Sequence, residues 1–263
     1  MTIEAAYTLY LSTLAFFLGA AFGSFLDCMA VRAVRGETVL WGRSRCGCCG
    51  HVLGAPELVP VLSYLFLRGR CRHCGKRISA ESLYCELALG VVYLLLYLRF
   101  GQSVLTLRYM ALCAVLLELS LIDLKSYTIP DAAILTGLAI WFCTLPFTSG
   151  APGICPTLPE ELLYSLLGGF GLFLSLLLLS LLFDHLSGRE SLGGGDLKLF
   201  FLLGLYLKPA AGLFALILSC LLGLAMAGLL RMRRIPFGPA ISLAFVLSLL
   251  FGQEFVGWYL RGL

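Results

Sequence analysis

The sequence predicts an all-α fold: a polytopic membrane helix bundle of about eight transmembrane helices with a small cytoplasmic zinc-binding loop domain. Three observations predict it. Hydrophobic residues make up 60% of the 263-residue chain and charged residues only 13%, whereas a soluble domain is nearer half apolar and a quarter charged. Apolar stretches long enough to cross a bilayer recur along its length. Lys and Arg gather in alternate loops, which gives the spans a direction.

Met1-Thr2-Ile3-Glu4 lacks the basic start of a signal peptide, and the apolar run from Ala5 to Phe25 is long enough to span. The first span is therefore a retained helix over 5–25. Hydropathy places the others at 83–100, 103–124, 131–148, 162–183, 196–207, 209–230 and 236–259. The sixth is short for a full crossing, and Lys208-Pro209 divides it from the seventh. A single kinked element is the alternative for that pair.

The stretch between spans one and two holds nine basic residues: Arg32, Arg35, Arg43, Arg45, Arg68, Arg70, Arg72, Lys76 and Arg77. Lys125 follows span three, Arg189 follows span five, and Arg231, Arg233 and Arg234 follow span seven. With eight spans all of these fall on one side, which is then cytoplasmic. The other side keeps little more than Lys208 and Arg261, and both termini lie there.

The basic loop contains Cys46-Gly47-Cys48-Cys49 and Cys71-Arg72-His73-Cys74, two C-x-x-C pairs with 21 residues between them. Two such knuckles suit tetrahedral zinc, each giving two sulfurs from one tight turn, and Gly50 and Gly75 ease the turns. Disulfides are disfavoured in a reduced cytoplasmic loop. Cys46, Cys49, Cys71 and Cys74 are the expected ligands. Cys48, His51 and His73 stand near enough to substitute, but read more simply as solvated loop residues. Four protein ligands leave no open position for a catalytic water, so the metal is structural. The remaining cysteines, Cys28, Cys85, Cys113, Cys143, Cys155 and Cys220, read as small packing residues of apolar helices.

Acids in or beside a span are costly and default to function. The candidates are Glu86, Glu118, Asp123, Asp131, Asp184 and Asp196. Asp123 closes span three within "SLIDLKSYTIPD", and Asp196 opens span six within "GGGDLKL". Both fall at the cytoplasmic membrane edge. Two aspartates sharing a site do not both ionise readily, so one can activate water while the other donates a proton to a scissile carbonyl. The glycines before Asp196 are expected to admit a substrate backbone and to take unusual dihedrals. The alternative is two helix-end aspartates, one of them the N-cap of span six.

Gly193, Gly194, Gly195 and Asp196 fill the pattern G-x-G-D, which resembles the signature of intramembrane aspartyl proteases. With "GSFLDCMAVR", the two knuckles, "SLIDLKSYTIPD" and "IPFGP" in the same order, the whole chain resembles the type IV prepilin peptidases of the bifunctional kind. That resemblance implies a catalytic pair at Asp123 and Asp196, zinc on the four cysteines, and a supporting role for Asp131, with Gly193, Gly195 and Lys198 beside the acids. It implies two parts. Residues 1–102 hold the first helix, the zinc loop (about 26–82) and the second helix, and are associated with methylation; residues 103–263 form a six-helix peptidase domain.

The implied reaction is removal of a basic leader from type IV prepilin or pseudopilin precursors, after a glycine, followed by N-methylation with S-adenosylmethionine. The implied setting is the bacterial plasma (inner) membrane. The basic residues of the loop are read as holding lipid headgroups, and no nucleic-acid partner is expected. Two stretches depart from the family pattern: Asp27 stands where Asn is usual, and Ala55 to Pro60 replaces an aromatic pair, an acid and Asn-Ile-Pro. The cofactor's sulfonium is cationic, and Asp27, Glu57 and Glu86 are the acids that could hold it. No glycine-rich strand-to-helix fingerprint is present, so a cofactor pocket has to form between the loop and the membrane helices. The competing functions are a peptidase without methylation, a non-catalytic zinc-ribbon assembly factor, and a proton-coupled transporter. A transporter calls for acids at the bilayer midplane rather than its edge.

Overall fold

The computed structural model describes residues 3–38, 42, 44–148, 157–188, 192–230 and 236–261. Arg43, Cys155, Arg189, Ser191, Arg231, Arg233, Arg234 and Ile235 lie outside the described residues. The chain divides into two compact units, Met1–Gln102 and Ser103–Leu263. Among the described residues the regular structure is helical, with two isolated β-bridges in place of any strand.

In the first unit, α1 (Ile3–Arg35) packs against α3 (Glu81–Phe100), and the loop between them carries a single 3-10 turn at Ala55–Glu57 and one short α-helix, α2 (Leu62–Phe66). The two long helices touch through backbone. A Cβ on Gly19 would lie 2.6 Å from the Leu89 carbonyl oxygen, and one on Gly23 would lie 2.5 Å from that of Cys85. Gly19 and Gly23 are one turn apart, with Ala15 a turn before them, so α1 buries a stripe of small residues. In lipid, where apolar side chains gain little by meeting each other, such close approach is what holds helices together.

α1 differs from the expectation at its C-terminal end. Its 33 residues make a helix of about 50 Å, longer than the hydrocarbon core of about 30 Å. Hydropathy ends the span near Phe25, but nothing in Leu26 to Arg35 breaks a helix and Gly36 is the first residue with positive φ. Asp27, Cys28, Arg32 and Arg35 are therefore helical, and the loop proper begins near residue 36 rather than 26.

The second unit contains α4 (Val104–Ser126), α5 (Asp131–Thr148), α6 (Leu158–Ser187), α7 (Gly194–Tyr206), α8 (Pro209–Leu230) and α9 (Gly238–Arg261). α4 is the central helix: 72% of its apolar window is buried, against 50% or less in every other candidate span. It packs against α5 and α9.

Among the described residues, seven helices are long and apolar enough to cross a membrane. The expected sixth span is not among them. α7 has 13 residues, about 20 Å, and is separate from α8, with Leu207 extended between them. A half-length helix is tolerable at membrane depth where protein covers it, and Leu199, Phe200 and the run from Leu202 to Tyr206 are all buried. Gly204 meets α6 backbone to backbone, with an added Cβ 2.6 Å from the Gly168 carbonyl. α5 holds the other side, where Trp141 Nε1 donates to the Leu205 carbonyl and the Tyr206 hydroxyl donates to that of Gly137.

Candidate functional site

The two units each carry a site. In the first, the loop folds into two turns of the same construction. The Cys46 amide donates to the His51 carbonyl and the Gly50 amide to the Cys46 carbonyl; likewise Cys71 donates to Lys76 and Gly75 to Cys71. Bridges Arg45–Val52 and Arg70–Arg77 close the two turns. Gly50 and Gly75 have φ of 70° and 69°, a conformation glycine takes without steric penalty.

The turns bring the four expected sulfurs within 4.8 Å of one another, and Cys46 Sγ lies 3.9 Å from Cys74 Sγ. A tetrahedral zinc with Zn–S near 2.3 Å separates its sulfurs by about 3.8 Å, so the group could hold such an ion. Cys48 is exposed and outside the cluster. His51 and His73 stack on each other at 4.7 Å. The amides of Cys48 and Cys49 lower the Cys46 thiol to about 6. The His51 amide pulls Cys49 down, but burial and the neighbouring thiols outweigh it and push Cys49 up to about 11.

Asp27, Glu57 and Glu86, far apart in sequence, line one cavity of about 720 Å³ in this unit. Glu57 ties the loop to itself, accepting from the Gly54 amide at 2.7 Å and facing His51 at 3.9 Å. Glu86 is buried on α3 and accepts from the Val61 amide at 2.6 Å and the Ser82 hydroxyl at 3.3 Å.

In the second unit, Asp123 lies in the last turn of α4 and is 5% exposed. Its Oδ2 accepts from the Gly238 amide at 2.8 Å, so the carboxylate sits on the N-terminus of α9, where unpaired amides and the helix dipole favour an acceptor. One turn earlier the Ser120 hydroxyl donates to Ser242 of α9 at 3.0 Å. Asp196, half-buried in the first turn of α7, is close enough to Asp123 to feel its charge. The two acids, 73 positions apart by their numbers 123 and 196, thus lie within electrostatic range of each other.

The glycines act differently from the expectation. Gly193 has φ −68°, and neither Gly194 nor Gly195 has positive φ, so no unusual dihedral is involved. Gly193, not Asp196, is the N-cap of α7. What the glycines supply is room. A Cβ on Gly193 would lie 3.3 Å from Asp196 Oδ2, and one on Gly195 would lie 3.0 Å from Ile129 Cβ. Asp131 and Lys198 are brought to each other, at 2.6 Å, in an exposed ion pair. Asp184 accepts from Ser180 at 3.5 Å near the end of α6, and Glu118 is half-buried on α4.

Two features escape the sequence reading. Gly238 touches Asp123: a Cβ there would lie 2.8 Å from Oδ2. Its signal is the glycine of "IPFGP", a stretch noted above for its resemblance but given no role at the site. The count of basic residues also omits Arg99 and Arg108. Arg108 is buried, its Nη1 donating to Glu161 at 3.0 Å and Thr148 at 2.7 Å, with Tyr206 under the guanidinium.

Two family models match the chain: the bacterial peptidase A24 N-terminal domain over residues 17–100, and the type IV leader peptidase family over residues 110–228. Relatives named prepilin leader peptidase/N-methyltransferase are similar over most of its length. One from Pseudomonas putida is 34% identical, covering 97% of this chain and 94% of its own. One from Bacillus subtilis (strain 168) is 30% identical, covering 94% and 96%. One from Burkholderia pseudomallei (strain 1026b) is 37% identical, covering 81% and 68%. No solved structure matches.

Proposed function

The chain belongs to the type IV leader peptidase family, and from that membership we propose that it is a prepilin peptidase with two activities. It removes the basic leader of type IV pilin-like precursors after a glycine, at the cytoplasmic face of the bacterial inner membrane. It then methylates the N-terminus that cleavage exposes.

Asp123 and Asp196 carry the first activity. One activates water as a general base while the other, protonated, donates to the scissile carbonyl; as the tetrahedral species collapses, the amine leaves with a proton. The observation that supports this reading is that two acids from separate helices lie within electrostatic range of each other, with one oxygen of Asp123 held by the Gly238 N–H. That bond orients the carboxylate and leaves its second oxygen for the chemistry. Gly193 and Gly195 keep side chains away from the acids, which suits an extended peptide backbone. The Asp131–Lys198 pair steadies the ends of α5 and α7 beside them.

Cys46, Cys49, Cys71 and Cys74 hold a structural zinc ion that fixes the loop. For the second activity, S-adenosylmethionine supplies the methyl group for the new amine. The cavity with Asp27, Glu57 and Glu86 suits such a molecule in size, since small-ligand cavities run from about 300 to 1,000 Å³.

The test is co-expression with a pilin-like precursor from the same genome and weighing of the product. The expected product lacks the leader and is one methyl heavier than cleavage alone gives. Asp123→Asn and Asp196→Asn should each cut cleavage by about 10²–10⁴-fold, with the protein still inserted and metal-loaded. Substantial cleavage by either variant overturns the dyad. A cleaved but unmethylated product leaves a peptidase alone.

A further inference from the structure

The loop of the first unit is not uniformly polar. Its stretch from Leu58 to Phe66 exposes Leu58, Val59, Leu62, Leu65 and Phe66, the last two by 60% and 83%. Clustered apolar exposure of this kind marks a surface that meets something else.

Two observations place this stretch at the bilayer edge. α3 has 20 residues, about 30 Å, which matches the hydrocarbon thickness, so its first turns stand near the membrane boundary. Glu86, in the second turn of α3, accepts from the amide of Val61 at 2.6 Å, directly before α2. That bond is kept at a cost. Val61 has φ 62° and ψ −52°, a strained conformation for a β-branched residue. The start of α2 is therefore tied to membrane depth rather than held out in solvent. The second observation is Tyr84, exposed in the first turn of α3, with the amphipathic ring favoured at that level.

The chemistry beside α2 says which surface it meets. One cleft is lined by Phe66 and Ile78 together with Arg68, Arg70, Arg72 and Arg77, and no acid lines it. All four arginines are exposed. Arg70 and Arg77 stand directly opposite each other in an antiparallel bridge, where like charges are destabilising. An anion against both relieves that repulsion. Exposed apolar side chains beside guanidinium groups match a lipid leaflet that carries anionic phosphates. A free anion would satisfy the arginines but leave Leu65 and Phe66 in water.

We propose that α2 is a foot on the membrane surface: Leu65 and Phe66 sink into the headgroup–acyl boundary of the leaflet on the loop's side, and the four arginines hold phosphates of anionic phospholipids there. Arg70, Arg72 and Arg77 belong to the second cysteine turn, so the foot also holds that turn against the bilayer. It stands independently of both catalytic readings.

The test makes Phe66 the reporter. Full-length Phe66→Trp protein is placed in nanodiscs of phosphatidylcholine, alone or mixed with phosphatidylglycerol. Wild-type emission, from three tryptophans, is subtracted. Leu65→Trp serves as a second reporter, and circular dichroism checks that each variant keeps its helices. With phosphatidylglycerol present, lipids brominated near the headgroup should quench the new fluorophore. Acrylamide should quench it about fivefold less than in phosphatidylcholine alone. Arg68→Gln, Arg72→Gln and Arg77→Gln combined should erase that difference between the two lipids. Both reporters open to acrylamide and untouched by brominated lipid would overturn the proposal. Reporters shielded alike in both lipids, with the arginines present or replaced, would overturn it too, because protein would then cover the foot.

Discussion

In residues 1–102 two helices meet through glycine contacts, and the polar chain between them is ordered by four sulfurs and by hydrogen bonds to Glu57 and Glu86. In residues 103–263 six helices form a bundle with α4 packed between α5 and α9, and the polar groups are tied helix to helix: Asp123 to the start of α9, Arg108 to α5 and α6. The first unit has little secondary structure with which to hold its loop, but gathers four sulfurs that could hold a metal ion. The second has helix ends to hand, and uses their unpaired amides and buried charges. On the zinc reading proposed above, the ordering of the first site would depend on a metal ion, whereas that of the second is built into the bundle.

The sharpest way to break this contrast is to remove the metal. Structural zinc contributes apparent free energies of about 10–16 kcal/mol in small domains. Chelation, or replacement of Cys46, Cys49, Cys71 or Cys74 by Ser, should therefore make the loop protease-sensitive and lower a zinc content of about one per chain. Cys48→Ser should not, and residues 103–263 should keep their protection in either case. Loss of protection there on chelation would show that the two units are not independently ordered.

The mirror experiment is Arg108→Met. It leaves Glu161 buried without its cation, and breaking a buried pair in this way costs about 3–5 kcal/mol. Thermal unfolding followed by proteolysis should weaken in the second unit, with zinc content unchanged. Arg108→Met with Glu161→Leu together should recover most of the loss, because a matched apolar pair leaves no charge behind.

Gly238→Ala acts on the site rather than the fold. A Cβ there lies 2.8 Å from Asp123 Oδ2, so the carboxylate has to move off the α9 amide. Cleavage of a precursor should fall about a hundredfold, equivalent to roughly 2.7 kcal/mol of barrier, with little change in unfolding temperature. Unaltered cleavage would mean that Gly238 only packs against Asp123. The smallest effect belongs to Lys198→Ala. Its pair with Asp131 is 53% and 69% exposed, and such surface pairs contribute about 0.2–1 kcal/mol. Stability should change within that range, and the change should shrink further at high salt.

The sequence by itself determined the class of fold and the eight helical segments, and it pointed to the four cysteines that the structure gathers and to two acids at the edges of apolar runs. Each is written in short-range pattern: apolar runs of fixed length, two C-x-x-C turns, an acid at the edge of a run. Hydropathy cannot see where a helix stops once it leaves the bilayer, so α1 runs on to Arg35. Nor does it measure whether a short apolar helix crosses, and α7 does not have the length. Only the tertiary structure decided that Gly238 rests on Asp123, that Gly193 and Gly195 supply space rather than special dihedrals, and that Arg108 is neutralised by Glu161. Those facts depend on contacts between segments many turns apart. Packing sets such contacts to a few tenths of an ångström, and no local periodicity encodes them.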